Sequence, residues 1–195
     1  MRCLNEAIAR KANAEDNCTG HFWEARFKSQ ALLDETALIT AMAYVDLNPI
    51  RAKMADSIEH SDFTSAQDRW RNATSPGKPS VATQRPRLRP FIEAEHQRSP
   101  DHLPFILNDY LALIEATGRI AVAGIRGFIP EDRPKLLNSL NVNQQQWIET
   151  VIHLNDRFEL AVGTPEKMMK LAHRWGKRWI HGITHARKLY PASSG

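Results

Sequence analysis

Apolar side chains recur at helical spacing through most of this sequence. Asp34 can cap a helix whose apolar stripe would consist of Leu38, Ala41, Met42 and Val45. That helix should end near Asn48, because the proline that follows disfavours helical backbone in the residue before it. A later helix, at about 165–189, should begin with Thr164 as its cap and Pro165 in its first turn. Similar patterns predict further helices at about 3–13, 64–72, 108–117, 131–140 and 143–156.

One segment alternates like a strand instead. Within 22–30 one face carries Trp23, Ala25 and Phe27, and the other carries Glu24, Arg26 and Lys28. This pattern predicts a strand with one buried face. The fold class expected from these elements is α+β with helices dominant.

The distribution of proline suggests how the chain is divided. Thr74 to Pro104 contains several prolines and arginines but few large apolar residues, which is typical of an exposed linker. We therefore expect an α+β part at 1–72, a Pro/Arg-rich linker at 73–104 and a helical, basic module at 105–195.

Composition limits the cellular setting. The chain has 195 residues, 42% of them hydrophobic, without the roughly 18 uninterrupted apolar residues of a membrane span. The first residues lack the apolar run of a signal peptide, so a cytoplasmic location is expected. Cys3 and Cys18 are accordingly expected to be free thiols.

Positive charge is concentrated near the C-terminal end, although the net charge is only +4. Between 165 and 190 a single acid, Glu166, stands among Lys167, Lys170, Arg174, Lys177, Arg178, Arg187 and Lys188. This density predicts a polyanionic partner, although a solvated helix face is the alternative. Trp175 and Trp179 are spaced i, i+4 among these cations, and we expect both to lie in the core.

Tyr44 and Asn48 are the residues most suggestive of chemistry. Their i, i+4 spacing would place a phenol and an amide on one face of a helix, a nucleophile beside a metal ligand. A tyrosine in an apolar helix is more often a core aromatic with a satisfied hydroxyl. The spacing alone leaves both interpretations open.

Two segments carry a family resemblance. Gly20-His-Phe-Trp-Glu-Ala-Arg-Phe-Lys-Ser-Gln30 and Tyr44-Val-Asp-Leu-Asn-Pro-Ile-Arg-Ala52 resemble the REP-associated tyrosine transposases, relatives of the single-tyrosine HUH enzymes that mobilise single-stranded DNA. Weaker similarity continues at Asn108–Arg119 and Trp175–Gly182. The resemblance implies a remnant of a ferredoxin-like catalytic domain followed by a helical module.

The resemblance also implies roles for individual residues. Tyr44 would attack a DNA phosphate, and Asn48 would be the third, weaker ligand of a divalent ion, Mg or Mn. Arg26 and Lys28 would lie beside the cleaved strand, and Arg51 would also contact DNA. Together with Arg174, Lys177 and Arg178, these cations form the predicted DNA-binding set.

One family feature is missing from the sequence. Such enzymes bind their metal through a His-hydrophobic-His motif, and no two of the eight histidines here are separated by one residue. We therefore expect the C-terminal part of a transposase that binds single-stranded or hairpin DNA but is catalytically incomplete alone. The alternatives are one half of a split enzyme that needs a histidine-bearing partner chain, or a helical adaptor that binds protein.

Overall fold

The computed structural model describes residues 2–23, 28–74, 88–94, 99–123 and 135–190, and helices dominate its mixed α+β fold. The helices are α1 (Arg2–Glu15), α2 (Glu35–Asp46), α3 (Asn48–Arg51), α4 (Ser65–Thr74), α5 (Leu107–Ala123), α6 (Lys135–Ser139), α7 (Gln144–Ile152), α8 (Leu154–Arg157), α9 (Pro165–Arg174) and α10 (Ile183–Leu189). The strands are β1 (Ala31–Leu32), β2 (Phe91–Ile92), β3 (Leu103–Ile106) and β4 (Ala161–Val162). The α-dominant α+β class predicted from the sequence is confirmed.

The strands form two short parallel pairs, β1 with β4 and β2 with β3. The strand predicted at 22–30 is wrong in its described parts, because neither 22–23 nor 28–30 is strand, while 24–27 lie outside the described residues. Pairing begins only at Ala31, whose amide donates to the carbonyl of Leu160. Trp23 instead donates from its indole nitrogen to the carbonyl of Asn5 on α1, at 2.9 Å.

Helix α2 begins where the sequence predicts, but its most buried residues are not those of the predicted stripe. The Asp34 carboxylate accepts a hydrogen bond from the amide of Ala37 at 2.8 Å and so caps the helix. The predicted stripe is wrong at Val45, which is 62% exposed, while Leu38, Ala41 and Met42 are half-buried and pack against the cores. The buried residues are Thr36, Ala37, Ile39, Thr40, Ala43 and Asp46. Thr40 tolerates burial because its hydroxyl donates to the carbonyl of Thr36 at 2.6 Å.

The Asp34 carboxylate also joins α2 to the C-terminal helices. It accepts the amide of Thr164 at 2.7 Å and the hydroxyl of Tyr190 at 3.0 Å. Thr164 in turn caps α9, as predicted, by accepting the amide of Lys167. Burial and the neighbouring carboxylate raise the pKa of Tyr190 far above its ordinary value, which keeps the phenol protonated as a donor.

A second carboxylate holds the other end of α2. Asp46 is buried and accepts hydrogen bonds from the hydroxyl of Tyr110 at 2.6 Å and from the hydroxyl of Ser65 at 2.9 Å. The amide of Ala66 donates to the same carboxylate, which places a negative charge at the start of α4. Burial raises the pKa of Tyr110 well above its usual range.

Three residues of the predicted linker are buried. They are Phe91, Ile92 and Leu103, and the Phe91 ring lies 5.4 Å from that of Tyr110. The expectation of an exposed linker is therefore wrong at these three residues, although 88–90, Glu93, Pro100 and Asp101 are exposed, and 75–87 and 95–98 lie outside the described residues. Two apolar side chains in each short strand are enough to hold these segments against α5.

The main core draws on all three predicted parts of the chain. It includes Ile39 and Leu47 from the first part, Phe91 from the second, and Tyr110 and Trp147 from the third. A second cluster joins Ala37 of α2 to side chains near the C-terminal end, namely Phe158, Met168, Ile180 and Ile183. The predicted boundaries near 72 and 104 therefore do not coincide with breaks in this packing.

Two of the predicted helices differ from the observed ones in where they end. Helix α5 continues past the predicted end at 117, through Gly118, to Ala123. A side chain at position 118 would meet Leu47 at 3.2 Å, so glycine lets Leu47 and α3 pack closely against α5. The helix predicted at 165–189 is wrong as a single element and divides into α9 and α10.

In the described parts of the chain, no helix combines the length and apolarity needed to cross a membrane.

Candidate functional site

Tyr44 lies on the partly buried side of α2, between an amide and a guanidinium. Its hydroxyl accepts a hydrogen bond from the side-chain nitrogen of Asn155 on α8 at 2.8 Å. The guanidinium of Arg51 lies over its ring, 4.3 Å from the ring centre. Tyr44 thus has both a satisfied hydroxyl, as a structural tyrosine would, and a cation beside its ring.

Asn48 does not share a continuous helix with Tyr44. Helix α2 ends at Asp46, Leu47 lies between the two helices, and the exposed Asn48 is the first residue of the one-turn helix α3. The break lies just before Pro49, which is in the first turn of α3 and has no amide hydrogen to donate to the carbonyl of Val45 in a continuous helix. The residue that reaches back to Tyr44 is Arg51 rather than its predicted neighbour.

The described residues around Tyr44 do not fit a divalent metal. Mg²⁺ or Mn²⁺ is usually held by several oxygen or imidazole ligands arranged around the ion. Across the described ranges, no group of three His, Cys, Asp or Glu side chains is placed to hold such an ion. The exposed amide of Asn48 is a weak donor, and Arg51 places a positive charge beside the phenol.

Arg51 also lines an open cleft of about 550 Å³ next to α3. Lys53 and His60 line the same cleft, and His60 is hydrogen-bonded to Asp56 at 2.7 Å. That hydrogen bond raises the pKa of His60 and favours its charged form. The Nε of Arg51 is buried without a hydrogen-bond partner. The cleft is therefore lined by two cations, Arg51 and Lys53, and by the His60–Asp56 pair.

The two cations predicted beside the cleaved strand are placed only in part. Lys28 is exposed in the extended segment that leads into β1. Arg26 lies outside the described residues, so its predicted contact with the cleaved DNA strand stays a prediction, while Lys28 does not lie in a β-strand.

The remaining predicted DNA-binding residues lie together where α9 ends. Arg174 is the last residue of α9, and Gly176 follows with φ of +69°. The amide of Lys177 donates to the carbonyl of Ala172 at 2.9 Å, and that of Gly176 donates to His173 at 3.0 Å. This pair of hydrogen bonds is a Schellman motif, which stops the helix and turns the chain.

The segment between α9 and α10, residues 175–182, is here called the tryptophan loop. Trp175 is 45% exposed and Trp179 is 57% exposed, so the expectation that both lie in the core is wrong. The reason is the end of α9 at Arg174, because the i, i+4 spacing of the two indoles no longer falls on a helix. Between them Lys177 and Arg178 are also exposed.

Buried residues anchor the far end of the tryptophan loop. Ile180 is 1% exposed and belongs to the second core cluster. Gly182 has φ of +91°, and a side chain there would come within 2.5 Å of the Phe158 ring. The loop is thus fixed by packing while its two indoles and its cations face solvent.

Charge around the tryptophan loop is uncompensated within the described chain. None of Arg174, Lys177 and Arg178 forms a salt bridge with a described carboxylate. The ammonium group of Lys177 lies 5.9 Å from the centre of the Trp175 ring. The loop therefore exposes cations and two indole rings within one short segment, with Lys177 next to the Trp175 ring.

Sequence reasoning did not identify two features of these sites. Asn155 gave no local signal, because it meets Tyr44 across 111 residues of sequence. The exposure of the tryptophans did have a signal, since Gly176 and Gly182 bracket the loop and glycine commonly ends helices.

No protein-family model, curated protein or solved structure matches the chain.

Proposed function

We propose that this chain binds DNA through the tryptophan loop and the adjacent basic residues of α9 and α10. The observation that carries the proposal is the exposure of Arg174, Lys177 and Arg178 without salt-bridge partners among the described residues. Lysine and arginine side chains that bind phosphates release condensed counterions, and this release supplies affinity. Such binding is salt-dependent and largely independent of base sequence.

We further propose an origin from a REP-associated tyrosine transposase. The motif residues Tyr44, Asn48 and Arg51 support this origin, and so does the contact between Arg51 and the Tyr44 ring. Under this proposal, β1 and α2 are the remnant of a ferredoxin-like domain. The chain would retain DNA binding without cleaving strands alone, because its described residues do not supply the metal ligands of the intact family.

Fluorescence anisotropy with a labelled single-stranded or hairpin oligonucleotide tests DNA binding. Affinity should fall as salt rises from about 50 to 200 mM, with a slope set by the number of phosphates contacted. The Lys177→Glu/Arg178→Glu variant should bind at least about tenfold more weakly, because two phosphate contacts become repulsions. The matched control is Arg10→Glu/Lys11→Glu on α1, which changes the net charge equally at exposed positions.

The outcomes separate the proposal from its rival. Equal loss in both variants would mean that net charge alone drives binding, and an unaffected Lys177→Glu/Arg178→Glu variant would place the interface elsewhere. A folded chain that binds no DNA at low salt would overturn the proposal and favour the helical adaptor.

A further inference from the structure

The tryptophan loop exposes two of the largest apolar side chains at fixed positions. Trp175 and Trp179 are 45% and 57% exposed, although an indole gains free energy when it leaves water. Large apolar groups that are exposed within one short segment are candidates for a binding surface. Here the Schellman turn at Gly176 and the buried Ile180 hold the loop in place between them. Their exposure is therefore a property of a packed segment rather than of a fraying end.

The charges around the two indoles indicate what would cover them. Between 165 and 190 seven lysines and arginines accompany one acid, Glu166, so an anionic occupant is favoured. Lys177 lies near the Trp175 ring. In the sequence, the exposed Arg178 lies between Lys177 and Trp179. The matching ligand must offer repeated negative charges alternating with flat apolar groups. A single-stranded nucleic acid has this chemistry, with phosphates between unpaired bases.

We propose that Trp175 and Trp179 form a stacking platform for unpaired nucleobases. Lys177 and Arg178 then contact the phosphates that join the stacked nucleotides. In a duplex the base faces are already stacked on one another, so they are inaccessible to the indoles and only the phosphate contacts remain. The platform therefore selects single strands over duplexes without reading their sequence. This inference rests on the proposed DNA binding and adds the two side chains that would contact the bases.

The test compares two probes on the full chain at one salt concentration, an oligothymidylate of about 12 nucleotides and a mixed-sequence duplex of equal length. Trp175→Leu and Trp179→Leu keep an apolar side chain but remove the aromatic face. Each should weaken binding to the single strand about five- to 140-fold and leave duplex binding unchanged. Trp175→Phe/Trp179→Phe should retain most of the single-strand affinity, because a smaller aromatic face remains.

Phe63→Leu is the matched control, since it removes an aromatic face that is 86% exposed on another part of the chain. It should leave both affinities unchanged. Circular dichroism checks that every variant keeps its helices, which is expected because the substituted side chains face solvent.

The outcomes distinguish stacking from DNA binding itself. If Trp175→Leu and Trp179→Leu keep their affinity for the single strand while Lys177→Glu/Arg178→Glu loses it, DNA binding stands and the stacking platform is wrong. Equal losses for both probes in the leucine variants also overturn the platform. A wild-type chain that binds neither probe refutes both proposals together.

Discussion

At the scale of single residues, two carboxylates fix helix α2 in the fold. Asp34 receives hydrogen bonds from Ala37, Thr164 and Tyr190, and Asp46 receives them from Tyr110 and from the start of α4. Each carboxylate satisfies donors that would otherwise be buried without partners. These short polar contacts connect parts of the chain that are distant in sequence.

Replacing Asp34 should therefore cost more than losing an ordinary helix cap. Asp34→Ala removes the cap of α2 together with the contacts to Thr164 and Tyr190, so we expect a loss of about 2–4 kcal/mol in the free energy of unfolding. Asn143→Ala removes a simple cap, the 3.0 Å bond to the amide of Gln146, and should cost about 1 kcal/mol. Urea unfolding measures both, and similar losses would show that the wider network adds nothing.

The protonated tyrosines predict a fall in stability at alkaline pH. Burial raises the pKa of Tyr190 and of Tyr110 above the unfolded value of about 10. Their contribution is therefore complete below about pH 10, and it declines above that pH as the unfolded chain releases protons that the folded chain retains. Each tyrosine contributes a slope of up to about 1.4 kcal/mol per pH unit.

Urea unfolding at a series of pH values measures that slope. Tyr190→Phe should unfold with a shallower alkaline slope than the wild type, because one of the two retained protons is gone. An unchanged slope would mean that Tyr190 ionises equally readily in both states.

Tyr44 should not form a covalent link to DNA in the isolated chain. A metal ion can supply several kcal/mol of transition-state stabilisation, and each 1.36 kcal/mol changes the rate about tenfold. We expect incubation with a stem-loop oligonucleotide and Mn²⁺ to give no adduct that distinguishes the wild type from Tyr44→Phe. A covalent adduct that depends on Tyr44 would refute the expectation of catalytic incompleteness.

At the scale of elements, helix starts were predictable and helix faces were not. Asp34 and Thr164 cap α2 and α9 as their local sequence predicts, because a cap depends on neighbouring backbone amides. The buried face of α2 depends on which helices surround it, and packing against α7 leaves Val45 outside. Likewise the positions of Trp175 and Trp179 followed from a turn at Gly176 rather than from their spacing.

The two glycines that bracket the tryptophan loop should respond differently to alanine. At Gly182 a new methyl group would lie 2.5 Å from the Phe158 ring, in backbone that already has positive φ. We expect a loss of about 2–4 kcal/mol there. Gly176 also has positive φ but has no atom within 4 Å of the new carbon, so Gly176→Ala should cost about 1–2 kcal/mol.

Thermal unfolding compares the two glycine variants with the wild type. Equal losses would show that backbone strain alone matters and that the contact with Phe158 relaxes freely.

At the scale of the whole molecule, one core spans the parts that composition had separated. Proline and arginine suggested a linker at 73–104, but Phe91 and Leu103 belong to a core that includes helices on both sides of it. Composition did not predict this packing, because a few apolar residues decide whether parts of a segment are buried. The more numerous polar residues dominate the average composition of the same segment. The tyrosine site also required distant parts of the chain, since Asn155 comes from the C-terminal half.

Separating the chain near residue 104 should therefore destroy cooperative folding. We expect residues 1–104 and residues 105–195, produced separately, to lack a sharp urea transition, because each exposes half of the core around Leu47 and Trp147. The intact chain should unfold in one transition by circular dichroism and by tryptophan fluorescence. Cooperative unfolding of either piece alone would support independent domains.

The hydrogen bonds that Asp34 accepts from the C-terminal part of the chain also have a consequence during synthesis on the ribosome. Thr164 follows Asp34 by 130 residues, and translation at about 5–20 residues per second separates the two by roughly 6–26 s. Throughout that interval Ala37 lacks Met168, Ile180 and Ile183, which complete the second cluster around it, and it remains available to chaperones. A message that terminates before Leu154 would leave Ala37 without this cluster permanently, and its product would be a substrate for proteases.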